Sequence, residues 1–98
     1  SSASAVTAAV QAAASASSGK LDWKQQKEEQ ARLRKLENEV KKIEAEIEKL
    51  ENENEELTEL LQTDEVSTNS VKLQEISSKI EKNTNRLEEL MERWESIQ

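Results

Sequence analysis

From Leu33 onward the apolar residues recur in alternating steps of three and four: Leu33, Leu36, Val40, Ile43, Ile47, Leu50, Leu57 and Leu61. This is the spacing of a heptad seam, one apolar stripe along an α-helix. One step is broken, because Asn54 stands where an apolar residue is due. A second seam, Leu73, Ile76, Ile80, Leu87, Leu90, Trp94 and Ile97, has the same alternation and one polar interruption, Asn83. The stretch from Thr63 to Ser70 between them is rich in capping and turn residues and lacks periodicity. The pattern predicts helix one over about 22–62, a turn over about 63–69 and helix two over about 70–98. Asp22, with Gln25 three residues later, offers a capping box for the start of helix one. Residues 1–20 hold eight Ala and six Ser with no charge before Lys20. They read as a flexible linker, since a short helix with nothing to pack against is marginal in water.

The two stripes match each other when packed head to tail. Setting Asn54 against Asn83 aligns Val40 with Ile97, Ile43 with Trp94, Ile47 with Leu90, Leu50 with Leu87, Leu57 with Ile80 and Leu61 with Ile76. Every apolar residue then has an apolar mate, and the axis of the alignment falls inside the turn. The flanking charges agree in sign: Glu39, Glu46 and Glu53 line one side of helix one, and Lys72, Lys79, Arg86 and Arg93 line the facing side of helix two. In this register Glu46 approaches Arg93 and Glu53 approaches Arg86. A parallel pair of helix-one copies would instead set those glutamates near Glu44 and Glu51, and like charges oppose pairing. The expected fold is therefore all-α, an intramolecular antiparallel two-helix coiled-coil hairpin, monomeric, with a flexible N-terminal linker. Residues 22–38 overhang the end of helix two, so Leu33 and Leu36 lack mates. Either the stretch around Trp23 folds back over them or a neighbouring domain covers them.

Composition narrows the chemistry. The 98 residues include no Pro, His or Cys, one Gly and two aromatics, Trp23 and Trp94. There is no disulfide framework, no thiolate nucleophile, no P-loop and no Gly-rich phosphate cradle, so no catalytic site is expected. Glu51, Glu53, Glu55 and Glu56 are spread round a straight helix and read as a solvated face rather than a metal site. Trp94 reads as a packing residue, while Trp23 lies outside the seam near cations, where its ring would suit a stacked base. No stretch approaches the ~18 apolar residues of a membrane span, and the start lacks the charged-then-apolar pattern of a signal peptide, which suggests the cytoplasm.

The net charge of -7 argues against indiscriminate wrapping of nucleic acid or membrane. The charge is uneven, however. Residues 20–42 carry eight Lys or Arg against five acids, whereas residues 43–66 carry one against ten. Nucleic acid, if bound, is expected at Lys20, Lys24, Lys27, Arg32, Arg34, Lys35, Lys41 and Lys42, through phosphates and without base readout. The competing reading is an ordinary solvated surface with partners such as Lys24 with Glu28. A third possibility is an acidic tip that docks on a basic protein.

The run Lys20-Leu21-Asp22-Trp23-Lys24-Gln25-Gln26-Lys27-Glu28 resembles the start of the C-terminal extension of ABC-F (Uup-like) ATPases. The acidic heptad helix, the Thr63-Asp64-Glu65-Val66 turn and the ending Leu87-Glu88-Glu89-Leu90-Met91-Glu92-Arg93-Trp94-Glu95 are similar to the same extension. The resemblance implies a non-catalytic module of a protein with two ATP-binding cassettes and no membrane domain, acting on ribosomes or translation. ATP and Mg would belong to the parent's cassettes, and DNA or ribosomal RNA, or those cassettes themselves, would be its partners. Relatives often carry a proline near the position of Leu33 that separates a short first helix from the long one. Here that break is missing or relies on another device.

Overall fold

The structure is a computed structural model that describes the backbone of residues 2–98 and the side chains from Gly19 onward. The described residues form three helices in order: α1 (Ser2–Leu61), the one-turn α2 (Asp64–Ser67) and α3 (Ser70–Ser96). The chain divides into two units, Ser1–Leu36 and Glu37–Gln98.

In the first unit the helix begins at Ser2 and not at Asp22, so the segment expected as a flexible linker is helical backbone from Ser2 onward. The capping box at Asp22 goes unused because the chain upstream is already helical. Alanine has the highest helix propensity of any residue, and eight of them outweigh the single Gly19, which costs about 1 kcal/mol relative to Ala. No described residue of this unit is buried; Leu21, Trp23 and Leu33 are all exposed. Among the described residues no fold-back around Trp23 takes place. Residues 22–38 continue α1, and with no proline near Leu33 there is no break.

The second unit is the hairpin. Its α1 portion ends where Gln62 and Thr63 donate their N–H groups to the carbonyls of Glu59 and Leu60, each at 3.1 Å, tightening the last turn. Thr63 then goes extended, and α2 occupies part of the stretch that the sequence predicted only as a turn. The N–H of Ser67 bonds the Thr63 carbonyl at 2.8 Å, and the Thr68 hydroxyl donates to the Asp64 carbonyl at 2.6 Å. This knuckle buries Val66. Asn69 starts α3 as an N-cap, its Oδ1 accepting from the N–H groups of Val71 and Lys72 at 3.1 Å each. Lys72 donates to Glu65 at 2.7 Å and straps α2 to the first turn of α3.

The seam forms between α1 and α3. Ile43, Leu57 and Leu90 are buried, and Ile47, Leu50, Leu61, Leu73, Ile76, Ile80, Leu87 and Ile97 are half-buried. The asparagines meet: Asn83 Nδ2 donates to Asn54 Oδ1 at 3.0 Å, which fixes the antiparallel register. The same Nδ2 also donates to Glu53 Oε1 at 3.1 Å. The flanking ion pairs differ from those expected. Arg86 forks onto Glu46, at 2.9 and 3.2 Å, and Arg93 onto Glu39, at 2.6 and 3.0 Å. Glu46 therefore pairs with Arg86 rather than Arg93, and Glu53 does not pair with Arg86. The asparagine layer supplies the reason, since the Asn83 amide draws Glu53 onto the seam. Arg86 then takes the glutamate one heptad farther from the turn, and Arg93 does likewise.

Candidate nucleic-acid interface

All eight cations expected at a nucleic-acid contact are exposed. Six of them, Lys20, Lys24, Lys27, Arg32, Arg34 and Lys35, lie in the first unit, and Lys41 and Lys42 lie in the second. Helical periodicity sorts the six. Lys20, Lys24, Lys27, Arg34 and Lys35 recur near whole numbers of turns and share one face of α1. Ala31 stands in the middle of that face and adds no charge or bulk. Arg32 lies off it and is already engaged, with its Nε 3.0 Å from Glu29 Oε2. That bidentate contact raises the Arg32 pKa further and holds the Glu29 carboxyl below the usual carboxylate range.

The solvated-surface reading paired Lys24 with Glu28. Among the described residues no such ion pair forms, and none forms at Lys20, Lys27, Arg34 or Lys35. Lys27 instead places its ammonium 4.7 Å from the centre of the Trp23 ring. A cation over an indole face is attracted by the ring quadrupole, so the ring's contact is with a lysine of its own helix. The spacing of four between an aromatic and a lysine carries that signal, beside the stacked base and the fold-back over Leu33 and Leu36 that the sequence suggests for Trp23.

In the second unit the acids follow two patterns. Glu39 and Glu46 are held below the usual carboxylate range by the guanidinium groups of Arg93 and Arg86, and Glu65 likewise by Lys72. Glu51, Glu55 and Glu56 are exposed, while Glu53 is half-buried against the asparagine layer. The hairpin also forms a cleft, lined by Glu44, Ile47, Met91, Trp94 and Glu95, that the sequence pattern does not announce. Trp94 is 36% exposed and its indole N–H donates to Glu44 Oε1 at 3.3 Å. No spacing within one helix announces that contact, because it depends on which residues the register brings together.

No described helix is long and apolar enough to cross a membrane. Comparison with curated proteins and with solved structures found no significant match. A family model, that of the ABC transporter C-terminal domain, matches residues 20–98. The match starts where the Ala/Ser-rich composition gives way to charge and takes in the basic stretch, both seams and the turn, so the chain belongs to the ABC transporter C-terminal domain family.

Proposed function

We propose that this chain is a non-catalytic module of an ABC-F type, Uup-like ATPase, and that it holds DNA or ribosomal RNA against the basic face of α1. The observation that carries the reading is the set Lys20, Lys24, Lys27, Arg34 and Lys35, exposed on one helical face and unpaired with acids among the described residues. Lysines are point charges suited to phosphate oxygens, and a helix face without convergent amides or carboxylates has nothing that reads base edges. Lys41 and Lys42 add positive potential in the second unit, and Arg32, held by Glu29, adds little. Hydrolysis of ATP, with its Mg, would reside in the parent's cassettes, which would act in the cytoplasm on ribosomes or translation.

Binding to a short DNA duplex and to a ribosomal RNA fragment, measured by fluorescence anisotropy across a salt series, tests this. Five phosphate contacts give a log–log salt slope of about -4.5 on duplex DNA, or a loss of about 500-fold between 50 and 200 mM salt. Charge reversal of Lys24, Lys27, Arg34 and Lys35 to Glu should abolish retention, whereas reversal of Glu51, Glu53, Glu55 and Glu56 should not. No binding at low salt, or a phenotype in the parent ATPase confined to the second set, would favour an arm that docks on a basic protein or on the parent's own cassettes.

A further inference from the structure

The two long edges of the hairpin unit are not equivalent. Along one, the glutamates of α1 are taken up by arginines of α3: Glu39 by Arg93 and Glu46 by Arg86. Along the other, heptad geometry sets Glu44 and Glu51 beside the uncharged α3 residues Met91 and Thr84, with Glu88 and Glu95 on the adjoining face of α3. None of Glu44, Glu51, Glu88 and Glu95 is ion-paired among the described residues. Between these acids lies the cleft of Ile47, Met91 and Trp94. Met91 is 45% exposed and Trp94 36%. The hydrogen bond from the indole to Glu44 fixes the ring's orientation across the two helices.

We infer that this edge is a docking surface for a helical protein segment carrying arginine or lysine beside an apolar stripe. Charge selects that occupant. Phosphate is repelled by the unpaired carboxylates, and a neutral apolar helix would desolvate Glu44 and Glu95 without giving them a partner. A cationic amphipathic helix covers Met91 and Trp94 with its stripe and brings its cations to the flanking carboxylates and the indole. The surface uses none of the residues assigned above to nucleic acid.

The test uses the full chain with Trp23→Phe, which leaves Trp94 as the sole fluorophore. It is titrated with an arginine-containing amphipathic helical peptide and with a scrambled peptide of identical composition that lacks the stripe. The striped peptide should bind at least about tenfold more tightly and shift the Trp94 emission. Met91→Glu should weaken it by a similar factor while leaving the scrambled peptide unweakened, because the added negative charge cannot repel a cation. Met91 is exposed, so circular dichroism should show this variant folded. Equal affinity for the two peptides, an unchanged Trp94 emission, or indifference to Met91→Glu would overturn the inference. A Trp94 response to duplex DNA in place of peptide would do the same.

Discussion

In the hairpin unit Ile43 is 6% exposed and Leu57 8%, whereas in the first unit Leu33, on the same stripe of the same helix, is 46% exposed. The local sequence is equally helical in both places, so the difference lies in whether a second helix arrives. Residues 37–61 are held by α3 through burial, the asparagine pair and two forked ion pairs. Among the described side chains of residues 19–36 none is buried, and the helix there is supported by contacts within itself, such as Arg32 with Glu29 and Lys27 over Trp23, downstream of an alanine-rich stretch of high helix propensity. A tertiary partner turns an amphipathic stripe into a core; without one it remains a surface, and in the first unit the cations around Ala31 lie on the side of α1 away from Leu33.

The sharpest way to break the comparison is to cut the same side chain on both sides of it. Leu90→Ala should cost about 2–5 kcal/mol of hairpin stability, because Leu90 is 4% exposed and leaves a cavity. Leu33→Ala should change the unfolding free energy read from urea denaturation by no more than about 0.5 kcal/mol. Equal losses would mean that Leu33 is packed after all.

Next in size is the asparagine layer. Asn83→Ala removes both hydrogen bonds of its amide and strands Asn54, for an expected loss of about 1–3 kcal/mol in chemical denaturation. Replacing Asn54 and Asn83 together by Leu should raise the melting temperature and broaden spin-label distances between α1 and α3, since the alignment is no longer locked. A narrow distribution in the double variant would show that the apolar layers alone set the register.

At the start of α3, Asn69→Ala should cost about 1 kcal/mol by leaving the N–H groups of Val71 and Lys72 uncapped. In the first unit Gly19→Ala should gain up to about 1 kcal/mol of local helix stability, visible as added helicity with the hairpin melt unchanged. A Cβ at Gly19 meets nothing within 4 Å, so propensity alone acts there.

The smallest effect is that of pH. Glu39 and Glu46 titrate below the ordinary glutamate value of 4.5 because Arg93 and Arg86 bond their charged forms. Carboxylates depressed in this way contribute stability above their unfolded pKa and lose it as pH falls through the lower folded value. Wild type should therefore lose its margin over an Arg86→Gln, Arg93→Gln double variant below about pH 4.5, and the margin should also shrink in high salt. The pairs are solvent-exposed, so the margin is modest at any pH. A margin that grew on acidification would place those arginines elsewhere.

Much of the hairpin was legible because its cues are local and periodic. The alternation of three and four, the two asparagines at matching steps and the unpatterned stretch from Thr63 to Ser70 specify two helices and their alignment. The start of α1 is not legible at Asp22, because a capping box marks a helix start only where the chain upstream is not already helical, and here α1 begins at Ser2. The ion pairs slipped by a heptad because a long guanidinium reaches more than one acid, and Glu53 was claimed by the Asn83 amide. The basic residues could be named but not sorted: that Arg32 is neutralised and that Lys24 has no acid partner are rotamer outcomes, which spacing does not encode.

The order of residues by itself determined the α-helical class, the turn, the asparagine register and the contrast between a basic stretch and an acidic one, since each follows from propensity, period and charge along one chain. Only the tertiary structure decided which glutamates meet arginines, which acids stay unpaired along the other edge, and that Trp94 leans on Glu44 beside an exposed Met91. Those outcomes are competitions between long, flexible side chains for partners on another helix, and such competitions are settled by distance in three dimensions.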